Sequence, residues 1–131
     1  MAAGRSVILL DCSIKEKNLY HGSLSFEMSF GRDRMIVNCG PTPFNNKKWE
    51  KALSSSAAHS TLVINDTNSS TNENYKKFNV NTSREITSGF EIISSRHNGY
   101  ENIYSAIHKR VLKLDSRGSL LKGIDNITVS Y

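Results

Sequence analysis

Polar and apolar residues alternate without interruption over residues 23–30, which read SLSFEMSF. Successive side chains of a strand point to opposite faces, so this pattern predicts one buried face. Its members are Leu24, Phe26, Met28 and Phe30. Residues 34–40 form a second extended run, and Gly31 and Asp33 between the two runs are typical turn residues. The two runs therefore predict a β-hairpin and a β fold class.

Further strands are predicted wherever short apolar or β-branched runs lie between turn residues. They span residues 4–11, 61–64, 90–97, 104–114, 120–122 and 127–131. The continuous apolar run at residues 7–10 favours burial on both faces of its strand. The alternation slips near Arg110, which predicts a bulge there. Residues 65–81 are rich in Asn, Ser and Thr and predict a long exposed excursion.

One short helix is predicted near residues 46–53, because an asparagine precedes it and Trp49 and Leu53 share a face at helical spacing. Many short strands separated by turns favour an all-β antiparallel sandwich. We expect a single domain over residues 1–131. Its first strand begins almost at Met1 and its last lacks a following partner, so we expect a truncated sandwich, part of something larger.

The composition is that of a soluble protein, with 131 residues, 37% hydrophobic residues and a net charge of +5. No apolar run is long enough to cross a membrane, and no signal peptide is recognisable, so the chain as written is expected to be cytoplasmic and to have no membrane partner. The positive charge favours anionic partners, with plain surface basicity as the alternative. The basic pairs Lys47–Lys48 and Lys76–Lys77 lack interleaved aromatic residues, so we expect no nucleic-acid partner.

Several segments resemble the C-terminal β-domain of heparinase II/III-like polysaccharide lyases and occur in the order of that family. They are GSLSFEM at 22–28, IVNCG at 36–40, AAHSTL at 57–62, RHNGY at 96–100, IHKRVL at 107–112, and the ending with Gly118, Leu121 and Asp125. Each segment is weak alone, and together they cover almost all of the chain.

The resemblance implies a function for the chain. Enzymes of this family cleave acidic, uronate-containing polysaccharides by β-elimination, with a catalytic tyrosine on an N-terminal α/α-toroid. This chain has no segment that could build a toroid, so the resemblance implies a β-sandwich module that is inactive without a toroid-domain partner chain. A non-catalytic carbohydrate-binding or oligomerisation module is the alternative. A truncated sandwich exposes strand edges, so a homo-oligomer is also expected.

The family's histidine motif, H-x-H-x-D, is not kept. Its positions hold Asn18, Tyr20 and Gly22, and His21 lies one position away. The resemblance makes His21 and His59 the candidate catalytic residues. The alternatives are an exposed loop histidine at 21 and a core histidine at 59 whose ring bonds to the backbone.

The family often holds a structural zinc ion through two histidines and an aspartate. The matching positions here are His59, Tyr20 and Asn38. An amide is a poor zinc ligand, since zinc prefers thiolate, imidazole and carboxylate. We therefore expect no cofactor, and a metal site would rest on His59 with Asn38 and Tyr20 in place of the usual ligands.

The resemblance makes four further residues candidates for binding the acidic polysaccharide. They are His97, Tyr100, His108 and Arg110. The alternative for the first two is a tight turn at Asn98 with the tyrosine packed beneath it. His108 and Arg110 share a face of a regular strand, and arginine suits a carboxylate or sulfate group. The alternative for this pair is a solvated strand face.

Overall fold

A computed structural model describes residues 1–13, 20–40, 45–70 and 78–130. Its strands form two four-stranded sheets in which every neighbouring pair is antiparallel. The first sheet contains, in order, β1 (Ala2–Ala3), β2 (Ser6–Leu10), β3 (Phe26–Phe30) and β4 (Asp33–Ile36). The second contains β5 (Val80–Ile86), β6 (Phe90–His97), β7 (Ala106–Asp115) and β8 (Leu121–Val129). The predicted all-β sandwich is confirmed.

Three short helical segments accompany the sheets. They are α1 (Lys47–Ser54), a 3-10 turn (Ser56–Ala58) and α2 (Glu101–Tyr104). The Asn46 side chain caps α1 by accepting hydrogen bonds from the backbone N–H groups of Lys48 and Trp49, at 3.1 and 3.3 Å. The helix has no buried residue, and Trp49 is 58% exposed. No helix in the described ranges has the length and apolar character needed to span a membrane.

The core lies between the two sheets, where Ile8 of β2 meets Leu112 and Leu114 of β7. Partly buried residues pack around this cluster: Met1, Ala3, Leu10, Phe26, Met28 and Leu121. The prediction that β2 is buried on both faces is wrong, because Val7 and Leu9 are 43% and 64% exposed. No described element covers the outer face of the first sheet. Residues 7–10 therefore place apolar side chains on the surface as well as in the core.

The predicted hairpin is confirmed as β3 and β4, with Gly31 in the turn at φ +61°. Its buried face is shorter than predicted. Leu24 is fully buried but precedes the strand in a left-handed conformation, φ +58°. The register shifts between Met28 and Ser29, and Phe30 is 38% exposed. The alternating pattern thus continues beyond the part that is paired and covered.

The strand predicted at residues 61–64 is wrong, since only an isolated bridge between Ile64 and Thr67 forms there. Side chains hold this segment instead: the Thr61 hydroxyl donates to the Ser23 carbonyl at 2.6 Å, and the Tyr100 hydroxyl donates to the Leu62 carbonyl at 2.8 Å. The first bond fixes a side chain of the segment and the second satisfies one of its backbone carbonyls, so the segment is held without a strand partner.

The predicted excursion at residues 65–81 is wrong at both described ends. Ser69 and Ser70 are buried, Phe78 is 6% exposed, and β5 begins at Val80. Residues 71–77 lie outside the described residues. The strand β5 has a polar sequence because it is an edge strand that is paired only to β6 among the described strands and is largely exposed.

The second sheet is more regular than the sequence pattern suggests. The strand predicted at residues 90–97 is confirmed with the same bounds, as β6. No register shift interrupts the pairing of β7 with β6 and β8, so the bulge predicted near Arg110 is wrong. The two runs predicted at 120–122 and 127–131 belong to one strand, β8, and Tyr131 lies outside the described residues.

Candidate functional site

A cavity of about 490 Å³ opens where β2 and β3 meet the loops that follow the sheet. It contains Tyr20, Asn38 and His59, the three residues at the positions of the zinc ligands in the resemblance. The remaining lining residues are Leu9, Leu10, Asp11, Ser13, Ser25, Glu27 and Gly40. The structure therefore brings together three residues that are distant in sequence. Tyr20 and Asn38 are 18 positions apart, and Asn38 and His59 are 21 positions apart.

His59 is held in a fixed orientation at the end of the 3-10 turn. Its Nδ1 lies 2.8 Å from the Ser55 carbonyl oxygen, which can only accept, so Nδ1 carries the proton of the neutral ring and Nε2 has the lone pair. The Tyr20 ring meets the imidazole edge-on, with centroids 5.9 Å apart. A methyl group on Gly22 would lie 2.6 Å from His59 Cγ, so only glycine lets the ring lie here. This bond to the backbone is the one expected of a core histidine, although His59 also lines the cavity.

Asn38 has its amide tied to the backbone. Its Oδ1 accepts from the Ser60 N–H at 2.7 Å, and its Nδ2 donates to the Phe26 carbonyl at 3.4 Å. This leaves the amide little freedom to turn toward a metal ion. Of the three residues at the zinc positions, His59 alone carries a preferred zinc ligand group. The described residues contain no group of three or more His, Cys, Asp or Glu arranged to hold a metal ion. The donor set therefore does not fit zinc.

His21 does not line this cavity. It is half-buried, and its Nδ1 lies 3.0 Å from the Ser70 hydroxyl. Its carbonyl accepts from Ser69 at 2.8 Å and from Ser56. His21 and His59 lie on neighbouring segments, since Gly22 packs against the His59 ring, but only His59 lines the cavity. The catalytic roles of both histidines stay predictions. Asn18 lies outside the described residues.

The four residues predicted to bind polysaccharide come together, but inside the sandwich. His97 and His108 are 1% and 0% exposed, Tyr100 is 0% exposed and Arg110 is 6% exposed. This excludes the solvated strand face as an interpretation of the pair on β7. A polymer on the surface would not reach these side chains directly. Their burial favours a positioning role, and substrate binding by them stays a prediction.

The histidines form a hydrogen-bonded chain with a defined direction. The Gly99 N–H can only donate, and it lies 3.0 Å from His97 Nδ1, so Nε2 carries the proton of that ring when it is neutral. His97 Nε2 lies 3.1 Å from His108 Nδ1, and His108 Nε2 lies 2.7 Å from Asp125 Oδ1. Each bond thus fixes the tautomer required for the next. Both rings are neutral in this arrangement, and the chain ends on a carboxylate.

Arg110 anchors the other side of that carboxylate. Its Nε and one terminal nitrogen contact the two Asp125 oxygens at 2.8 and 2.9 Å, a bidentate pair. The other terminal nitrogen donates to the carbonyls of Leu24 and Ser60, at 2.5 and 2.6 Å. Arg110 belongs to the second sheet, whereas Leu24 and Ser60 belong to the segments around the first. One guanidinium therefore ties the two halves of the fold together.

The surroundings shift the pKa values of this cluster. Burial lowers the pKa of His108, because an imidazolium ion would lose its hydration there, although Asp125 opposes the shift. Burial alone would raise the pKa of Asp125, but hydrogen bonds from Arg110 and His108 outweigh it and hold this pKa below its usual value. Burial raises the pKa of the Tyr100 hydroxyl, which donates to the Leu62 carbonyl. The favoured state is neutral histidine beside a bridged Arg–Asp pair.

Asp125 is the member of this cluster that sequence reasoning did not place in a site. Its register partner is Arg110, directly opposite on β7. The available signal was the acidic residue in the ending motif, combined with the face shared by His108 and Arg110. The sequence does not give the register of β8, and without it the motif does not predict that the Asp125 carboxylate contacts His108 and Arg110.

Comparison with protein families matches residues 1–130 to the family described as Heparinase II/III-like, C-terminal. The chain belongs to this family. Neither the curated proteins nor the solved structures gave a match. The family match confirms the resemblance, and it spans both sheets, the cavity and the buried cluster. In this heparinase II/III-like domain, His97 and His108 of the second sheet thus belong to the interior, and the cavity beside His59 is the accessible candidate site.

Proposed function

We propose that this chain is the β-sandwich module of a polysaccharide lyase, completed by a toroid-domain partner chain and acting by β-elimination on an acidic, uronate-containing polysaccharide. The observation that supports it best is the accessible cavity in which Tyr20 and His59 meet, within a chain that matches the family over residues 1–130. The partner supplies the rest of the catalytic groups.

The chemistry explains why the module should be inactive alone. Elimination needs a base for the C5 proton, an acid for the leaving oxygen and a positive or hydrogen-bonding group for the uronate carboxylate. The free Nε2 of His59 can accept a proton, and the Tyr20 hydroxyl can donate one. Among the described residues, the cavity is lined by the carboxylates of Asp11 and Glu27 and by no Lys or Arg. Two carboxylates disfavour a uronate, so in this proposal the partner supplies the positive group that neutralises it.

The exposed apolar face of β2 offers a docking surface for that partner. Val7 and Leu9 are 43% and 64% exposed, and Val37 on the neighbouring segment is 56% exposed. They line a depression of about 220 Å³, whose residues Leu9 and Glu27 also line the larger cavity. A partner seated on this face would therefore cover one edge of the candidate site. Burying exposed apolar surface would stabilise the association.

We expect the chain alone to give no unsaturated uronate product, measured by ultraviolet absorbance, and the chain with its toroid-domain partner to give turnover. Replacing Leu9 with aspartate should weaken the association at least about tenfold, because it places a charge in the apolar interface. The matched control is Ile86→Asp, since Ile86 is apolar and 71% exposed but lies at the far edge of the second sheet. Absence of turnover with every uronate polymer and toroid partner would contradict the proposal.

A second candidate, a homo-oligomerisation module, is supported by the strand β8. Within the described part of the chain it pairs only with β7, and eight of its nine residues are exposed. Ile124, Ile127 and Val129 are each 47% exposed. A long edge strand with exposed apolar residues is a template for pairing with another copy.

A β8-to-β8 dimer predicts a specific sensitivity to charge. Ile127→Lys should convert the dimer into a monomer in sedimentation velocity, because charge on an edge strand opposes edge-to-edge pairing. Ile86→Lys, at the opposite edge, should leave the dimer intact. A wild-type chain that sediments as a monomer at all accessible concentrations would exclude this candidate.

A further inference from the structure

The outer face of the second sheet carries cations that have no acidic partner in the part of the chain that the structure describes. The register places Arg96 of β6 directly opposite Lys109 of β7, and Lys113 of β7 directly opposite Lys122 of β8. Partners in register share a face, and β7 alternates so that Lys109 and Lys113 point away from the core. Among the described residues, none of these four cations forms an ion pair or a side-chain hydrogen bond.

This pairing is unfavourable for the folded chain on its own, because like charges directly opposite each other in a sheet destabilise it. The acidic residues on the same face, Glu85 and Asp115, do not offset the repulsion between the paired cations. Glu85 forms no ion pair within the described ranges, and Asp115 accepts hydrogen bonds from Ser119 and the Leu120 N–H. The cations therefore have no structural explanation within the described fold.

A depression of about 300 Å³ lies beside the first cation pair. Small polar residues form its floor, since Ser83 of β5 is directly opposite Ser94 of β6 and Asn81 is directly opposite Arg96. The full lining is Asn81, Thr82, Ser83, Ser94, Arg96 and Lys109. It offers two positive charges to one anionic group, with an amide and hydroxyls beside them. Arginine can hold a carboxylate or sulfate through two parallel hydrogen bonds.

We propose that this outer face, defined by Arg96, Lys109, Lys113 and Lys122, binds a linear acidic polysaccharide at a place separate from the cavity at His59. The two cation pairs lie four residues apart along β7, which corresponds to about 13 Å. A ligand that meets both therefore needs at least two anionic groups on one chain. The hydroxyls of Ser83 and Ser94 and the amide of Asn81, which lie beside the first pair, suit the hydroxyl groups of sugars.

A polysaccharide fits this face better than a nucleic acid. Proteins that bind single strands combine positive charge with aromatic side chains on which the bases stack. No aromatic residue in the described ranges lines the depression. The inference rests on the proposed function only for the class of polymer, and the binding surface would hold a chain whether or not a partner completes the lyase.

The test is direct binding of the full chain to four probes by isothermal titration calorimetry. The probes are a heparin octasaccharide for sulfate, a galacturonate octasaccharide for carboxylate, a neutral maltooctaose, and a 20-nucleotide oligothymidylate. We expect at least one acidic octasaccharide to bind, with affinity that falls as salt rises, and the neutral sugar not to bind. Arg96→Gln with Lys109→Gln should weaken that binding at least about tenfold, since charge-assisted hydrogen bonds are lost.

The matched control is Arg32→Gln with Lys47→Gln, which removes one arginine and one lysine from the exposed surface away from this face. The double variant of the face should also unfold at an equal or higher denaturant concentration than the wild type, because it removes a like-charge pair. Equal weakening in the control, tighter binding of the oligothymidylate, or no binding of either acidic sugar would overturn the inference. Turnover with the toroid partner is measured separately, so loss of this binding would leave the proposed lyase function standing.

Discussion

Replacing Arg110 with methionine is expected to lower the free energy of unfolding by about 3 to 5 kcal/mol, because it breaks a buried ion pair by removing one partner. The Asp125 carboxylate would lose its bidentate contact, and the carbonyls of Leu24 and Ser60 would lose their donor. The guanidinium is 8% exposed and the carboxylate 33% exposed, so water replaces only part of what is lost. Denaturant unfolding followed by circular dichroism measures the change.

The control for this prediction is Arg32→Met in the turn of the hairpin. Arg32 is exposed and has no ion pair among the described residues, so its loss should change stability by no more than about 0.5 kcal/mol. Arg110→Lys should fall between the wild type and Arg110→Met, because lysine keeps the charge but not the fork of donors. An Arg110→Met variant as stable as the Arg32→Met variant would show that the guanidinium does not join the sheets.

Acidification below about pH 6.5 is expected to destabilise the chain through His108. Its pKa is lowered in the folded state, so the unfolded chain takes up a proton near pH 6.5 while the folded chain does not. The unfolded chain binds more protons, so falling pH stabilises it relative to the folded chain. The free energy of unfolding should therefore drop by up to about 1.4 kcal/mol per pH unit until the pH reaches the pKa of His108 in the folded state. The pKa of Asp125 is also lowered in the folded state. Further acidification protonates this carboxylate and removes its contribution to the stability of the fold.

The comparison that isolates His108 is His108→Gln. The glutamine amide can still donate toward Asp125 but does not titrate, so the variant should have a flatter profile of stability between pH 6.5 and the acid limb set by carboxylates. The measurement is the denaturant midpoint as a function of pH for both proteins. A flat wild-type profile in this range, or an equally steep profile in the variant, would contradict a neutral, buried imidazole at this position.

The parts of the fold that sequence reasoning predicted correctly are those where local pattern and burial agree. The hairpin and β6 are amphipathic strands with turn residues at their ends, and α1 begins after an asparagine that caps it. The strand β5 was missed because it is a polar edge strand, in which few residues need to be apolar. At residues 61–64 the error was the reverse, because a strand was predicted where none forms. This β-branched run is held by hydrogen bonds from the hydroxyls of Thr61 and Tyr100 rather than by pairing with a strand.

The candidate site was predicted less completely, for a reason of geometry. The family resemblance grouped Tyr20, Asn38 and His59, and the cavity contains all three. Strand alternation placed His108 and Arg110 on one face, but it did not show whether that face is buried or exposed. The alternation of side chains along a strand predicts that two residues share a face. It does not predict whether that face is buried, because burial depends on how the two sheets pack.

The attachment of Arg110 to two distant backbone carbonyls bears on the order in which the chain folds. Each sheet is a meander of consecutive strands, so its pairings join segments close in sequence and can form early. The bonds from Arg110 to Leu24 and Ser60 instead close loops of 86 and 50 residues, and they require both sheets to be in place. We therefore expect these two bonds to form late in folding, so that they slow unfolding more than they speed folding.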